Sequence, residues 1–130
     1  MKKMLFFTFL IFTALMACKK TEVVSCGDTF QLNKEQTVTI CDIKIRLDSV
    51  QDSRCPEGVV CVHAGEAIAK LTFMKGNEEV LKALKVIGRS PKADTVAVFD
   101  KKVILFSISP YPNSTSPILQ KDYKLQMKVE

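Results

Sequence analysis

Apolar and polar residues alternate one by one through most of this chain, and a period of two is the spacing of a strand with one buried face rather than of a helix. At the C-terminus Tyr123, Leu125, Met127 and Val129 fall on one side, and Lys124, Gln126, Lys128 and Glu130 on the other. Ala67, Ala69, Leu71 and Phe73 oppose Ile68, Lys70 and Thr72 in the same way, as Ile43, Ile45 and Leu47 oppose Lys44, Arg46 and Asp48. Val38 and Ile40 add a short strand before Asp42. Lys75-Gly76-Asn77 reads as a hairpin turn into Val80 to Val86, with a helical turn over Glu78 to Val86 as the alternative because Glu, Leu, Lys and Ala favour helix. Val103 to Ile108 is apolar on both faces, which suits a central strand, and Asp100-Lys101-Lys102 reads as the turn that precedes it from Val96 to Phe99. Ser109 to Pro117 contains three prolines and cannot continue a ladder, so it is expected as a surface connection. Seven or eight short strands without a long helix predict an all-β fold. The expected architecture is a small antiparallel β-sandwich, immunoglobulin-like or Greek-key, with a small β-barrel as the alternative.

The N-terminus limits where such a domain works. Lys2 and Lys3 precede an apolar run from Met4 to Met16, interrupted by Thr8 and Thr13 and shorter than the ~20 residues a helix needs to cross a bilayer. This is the pattern of an export signal. Leu15-Met16-Ala17-Cys18 resembles the lipobox of bacterial lipoproteins. The resemblance implies cleavage before Cys18, a diacylglyceryl group on its thiol and acylation of its new amino group, giving an effectively permanent membrane anchor. The expected organisation is a removed leader over residues 1–17, a lipidated start and spacer over 18–27, and one sandwich domain over 28–130. Lys19 and Lys20 differ from the acidic signal that retains such proteins at the inner membrane of enteric bacteria, so an outer-membrane location in the cell envelope is favoured.

Composition excludes several classes. With 47% hydrophobic and 25% charged residues the chain resembles an ordinary globular domain, not a disordered tail or a coiled coil. The formal net charge of +5 includes the two leader lysines, and the other basic residues are interleaved with acidic ones, so no nucleic-acid-binding patch is evident. Neither a Gly-rich phosphate loop nor paired zinc-ligand motifs occur, and no cofactor is expected.

Beyond Cys18, four cysteines remain in an exported chain, and an even number fits two disulfides. Three pairings are possible. Cys55 with Cys61 is favoured because Pro56-Glu57-Gly58-Val59-Val60 can turn back between them, which leaves Cys26 with Cys41.

Asp52-Ser53-Arg54-Cys55-Pro56, followed by Cys61-Val62-His63-Ala64-Gly65, is the most distinctive stretch of the chain. It resembles a signature, Asp-Ser-Arg-Cys-Pro and then Cys-Val-Trp-Ala-Gly, of a family of small secreted or lipid-anchored bacterial proteins. Pro110-Tyr111-Pro112 and Asp122-Tyr123 are similar to the C-terminal half of that family, and the resemblance runs from about Gln31 to Lys128. It supports the fold and the disulfide but implies no activity. This chain has His63 where the family has Trp, which removes any role that depends on an exposed indole.

Chemistry-bearing residues are sparse. His63 is the one histidine, two residues from Cys61, so a soft-metal site of copper type built on His63 with Met or carboxylate ligands is a possible reading. A bridged Cys61 supplies no thiolate, however, and one imidazole makes a poor closed site. Cys55 and Cys61 lack the Cys-x-x-Cys spacing of a thiol oxidoreductase, and no Gly-x-Ser-x-Gly elbow accompanies a serine. Asp48, Asp52, Glu57 and Glu66 lie close in sequence but without calcium-loop spacing, and are expected as solvated turn charges. Arg54 is read either as pairing with Asp52 or Asp48 to order the loop, or as a presented interaction residue. Tyr111, between two prolines, is a candidate anchor for a partner, with a ring folded over the sandwich end as the alternative. The expectation is therefore a non-enzymatic, lipid-anchored binding or accessory module. Its partners would be the membrane and another envelope protein. A protease-inhibitor-like loop is a third reading after metal binding.

Overall fold

The computed structural model describes residues 21–130, so the leader, Cys18 and the Lys19-Lys20 pair lie outside the described residues. Among the described residues nine strands form two facing sheets: β1 Thr21–Val24, β2 Thr29–Asn33, β3 Thr37–Ile40, β4 Ile43–Asp52, β5 Glu66–Lys75, β6 Glu78–Ile87, β7 Asp94–Val98, β8 Lys101–Ser109 and β9 Lys124–Val129. One sheet has the order β1, β3, β4, β5, β6 and the other β2, β9, β8, β7. The molecule is thus an all-β sandwich, not closed into a barrel. The second sheet has a Greek-key order, since β7, β8 and β9 follow one another and β2 lies beside the last of them. In the first, β3 to β6 make a plain meander, unlike the interleaved order of an immunoglobulin sandwich.

The alternating pattern builds the core. Ile43, Ile45 and Leu47 of β4, Ala67, Ala69, Leu71 and Phe73 of β5, and Leu125, Met127 and Val129 of β9 are all buried. Two bulges re-phase the alternation. The β4–β5 register slips between Leu47 and Ser49, which turns Val50 inward, and the β8–β9 register slips between Leu105 and Ser107, which does the same for Ile108.

Three expectations need correction. Part of the stretch read as a spacer, Thr21–Val24, is strand β1, and it pairs parallel with β3, so the sandwich is not wholly antiparallel. The Cys26–Cys41 disulfide joins the ends of these two strands, and Val24 packs against the core, which together hold so short a strand in place. Glu78–Ile87 is strand throughout, as the hairpin reading expects and against its helical alternative, because ten-residue pairing with β5 across the Gly76-Asn77 turn overrides helix propensity. The turn before β8 is Phe99-Asp100, both at positive φ (49° and 63°), while Lys101 and Lys102 already belong to the strand. Consecutive positive φ values are those of a type I′ turn, whose twist matches the strands it joins. Strand count also rises to nine, since β1 lay outside the expected domain.

β3 pairs with β4 only as far as Arg46. Farther along that edge the side chain of Gln120, in a single 3₁₀ turn over Gln120–Asp122, accepts from the Val50 N–H at 2.9 Å and donates to the Val50 carbonyl at 2.8 Å.

Candidate functional site

The connection from β4 to β5 carries the Cys55–Cys61 disulfide and is fixed from below by a buried ion pair. Arg54 is only 4% exposed. Its Nε and Nη2 donate to the two carboxylate oxygens of Asp52 at 2.8 and 2.6 Å, and its backbone N–H adds a third bond to Asp52 at 3.1 Å. The remaining reach of the guanidinium goes to the carbonyls of Ile108 at 2.8 Å and Pro110 at 3.0 Å. Tyr123 donates its hydroxyl to Asp52 at 3.2 Å. One planar fork therefore ties the ends of β4 and β8 and the start of β9 together, a task for which arginine is better shaped than lysine.

The charges respond to this packing. Burial alone would raise the Asp52 pKa, but the Arg54 hydrogen bonds and charge outweigh it and hold the carboxyl below its ordinary value. Burial, then the adjacent Asp52 carboxylate, pushes the Tyr123 phenol up to about 12.

A second layer lies over the first. The Tyr111 ring is flanked by the guanidinium groups of Arg54 and Arg89, at 4.8 and 4.1 Å from its centroid. Arg89 also pairs with Glu57, whose backbone N–H donates to the Pro112 carbonyl at 3.0 Å. Gly65 is at φ +68°, and a Cβ there would sit 1.9 Å from the Ser53 carbonyl oxygen, so only glycine lets the two sides of the loop approach. The Cys55 N–H donates to the Ala64 carbonyl and the Gly88 N–H to that of Gly65, both at 2.9 Å. Between these parts lies an open cleft of about 690 Å³ lined by Pro56, Glu57, His63, Arg89 and Tyr111 among others. Above it the loop holds Val59, Val60 and Val62 in solvent, Val60 and Val62 almost wholly exposed.

Each candidate residue now has a place. Cys55 and Cys61 are bridged, as are Cys26 and Cys41. Arg54 is an internal brace and is not presented to a partner, because burial and four side-chain hydrogen bonds occupy it. Tyr111 is half-buried with two guanidinium groups on its ring, so it belongs to the brace instead of standing free as an anchor. His63 is exposed, and among the described residues no three His, Cys, Asp or Glu side chains are grouped to hold a metal ion. The four carboxylates near the loop do not converge. Asp48 pairs with Arg46 and accepts from Thr72, Asp52 pairs with Arg54, Glu57 with Arg89 and Glu66 with Lys85. Among the described residues no buried side-chain nitrogen or oxygen lacks a hydrogen-bond partner.

Sequence reasoning missed Arg89, the Tyr123 hydroxyl and the valines. The valines carried a signal: Val59-Val60 and Val62 sit in a turn too short to bury them. Arg89 and Tyr123 carried none, since their partners are 32 and 71 positions away. Comparison with protein-family models, with curated proteins and with solved structures gives no match to this chain.

Proposed function

We propose that this protein is a lipid-anchored accessory module of a bacterial cell envelope, most consistent with the outer membrane, which acts by binding rather than by catalysis. Its contact surface is the loop end of the sandwich. The observation that carries this reading is the contrast between the base of the loop and its tip. A buried ion pair, a disulfide and an obligatory glycine immobilise a segment whose outermost side chains are Val59, Val60 and Val62. Rigid apolar side chains held in water bind at low entropic cost and have no stabilising role of their own in the fold. The lipobox-like Leu15-Met16-Ala17-Cys18 supports the anchor. The dispersal of the carboxylates into separate ion pairs supports binding over acid–base chemistry.

A photo-crosslinking residue at position 60 tests the surface in the native envelope, with position 77 at the far end of the sandwich as control. Adducts at 60 and not at 77 are expected; equal labelling refutes the assignment. A peptide map of the same material reads the mass of the Cys18 peptide, and an unmodified Cys18 refutes the anchor.

A further inference from the structure

We propose that the valine tip of the Cys55–Cys61 loop is a second membrane contact of the anchored protein, with the lipid surface as its occupant. This names the partner of the loop end and rests on the reading of Cys18 as acylated.

The direction of β1 is the first argument. It runs parallel to β3, which is antiparallel to β4, and β4 leads into the loop. The N-terminal end of β1 therefore points toward the half of the sandwich that carries the loop. Thr21 is level with Thr37 and Arg46, and Cys18 is three residues before it, at most ~11 Å of chain. From Arg46, β4 continues to Asp52 over roughly 20 Å. A bilayer that holds Cys18 therefore meets the loop half along the β1 edge, and a tilt of the sandwich brings the tip down to it.

What lies along that edge is the second argument. The two hydrogen bonds between Gln120 and Val50 fix the 3₁₀ turn to the edge of β4 beyond β3, and they place exposed Leu119 and Lys121 between β1 and the tip. Lys124, also exposed, opens β9 at the same end. Apolar side chains interspersed with Lys121 and Lys124, against one exposed carboxylate in the turn, Asp122, suit an interface of acyl chains and phosphate headgroups. The opposite end carries the turns Cys41-Asp42, Gly76-Asn77 and Phe99-Asp100, and no large apolar side chain is exposed in them. The third argument is concentration. Once Cys18 is in the bilayer the tip searches a volume of a few nanometres, so even a weak contact is populated.

The chain contains no tryptophan, so a single introduced indole reports its own surroundings. The full acylated protein is reconstituted in vesicles of phosphatidylethanolamine and phosphatidylglycerol that include lipids with brominated acyl chains. Val60→Trp is compared with Asn77→Trp, and Val62→Trp repeats the test should position 60 disturb the loop. Flotation with the vesicles confirms the anchor separately. Blue-shifted, bromine-quenched emission at 60 or 62, with unshifted and unquenched emission at 77, is the expected result. Protein that floats while both ends emit alike overturns the membrane contact and leaves the anchor standing. Emission at 60 that shifts only when envelope proteins are added overturns it in favour of a protein partner. Protein that fails to float overturns the anchor and this inference with it.

Discussion

Replacing Arg54 by methionine removes the cation from a pair whose side chains are 2% and 5% exposed while keeping most of the apolar volume. Four side-chain hydrogen bonds disappear. Asp52 keeps the Tyr123 hydroxyl and one backbone N–H, too little for a buried carboxylate. It has an escape, which is to take up a proton. Starting from the ordinary value of 3.8, neutralisation at pH 7 costs about 4 kcal/mol at about 1.36 kcal/mol per unit, and this caps the charge penalty. The carbonyls of Ile108 and Pro110 lose a donor but gain partial hydration. The expected loss is therefore ~3–5 kcal/mol, a large share of the ~5–15 kcal/mol available to a domain of this size. Urea unfolding at pH 7 with both disulfides intact measures it.

The pH dependence is a sharper test because its sign reverses. In the native protein the Asp52 pKa is lowered, so its contribution is present above 3.8 and is lost as pH falls through the folded value. In Arg54→Met the unpaired carboxylate has a raised pKa, so the variant regains stability as pH falls through that raised value toward 3.8. The double variant Asp52→Leu/Arg54→Met should recover much of the loss, since no charge is left buried. A loss below ~1 kcal/mol for the single variant, or a double variant no better than the single, refutes the view of Arg54 as the brace.

Three further outcomes are expected. Gly65→Ala, forced to φ +68° with its Cβ against the Ser53 carbonyl, should lose at least ~2 kcal/mol in the same unfolding assay, more than any exposed-loop alanine. Tyr123→Phe should cost about 1 kcal/mol at neutral pH. Because the native phenol is pushed up from 10.0 to about 12, its contribution is complete below pH 10 and declines as pH rises toward 12, so the gap between the two proteins should narrow over that window. Opening the small ring with Cys55→Ser/Cys61→Ser should cost roughly 2 kcal/mol by loop entropy and speed amide exchange at Cys55 and Glu57 more than in β5.

Local pattern and long-range pairing were unequally readable. β4, β5 and β9 stand out because each buries one face over six to ten residues, enough alternation to exclude a helix. β1 does not, since Thr21–Val24 is two strand periods long and its parallel partner is fixed by a disulfide. The Asp52–Arg54 pair is visible at a spacing of two, because alternate residues of an extended chain share a side. That the pair is buried is not visible, since the cover comes from Ile108, Pro110, Tyr111 and Tyr123. Tyr111 illustrates the same limit: two flanking prolines suggest exposure, yet Arg89, 22 positions earlier, lies against its ring.

Gln120 imitates a strand. Its carboxamide offers Val50 one acceptor and one donor, the pair that a neighbouring backbone residue would offer, at the place where β3 has run out. An uncovered strand edge is a template, and an identical chain is among the best-matched segments to fill it. Copies tethered to a membrane are confined to two dimensions and meet far more often than free molecules at the same abundance. For a chain anchored as proposed, that crowding would make one amide side chain a terminator, since the two bonds from Gln120 occupy Val50 where the β4 ladder is no longer covered by β3.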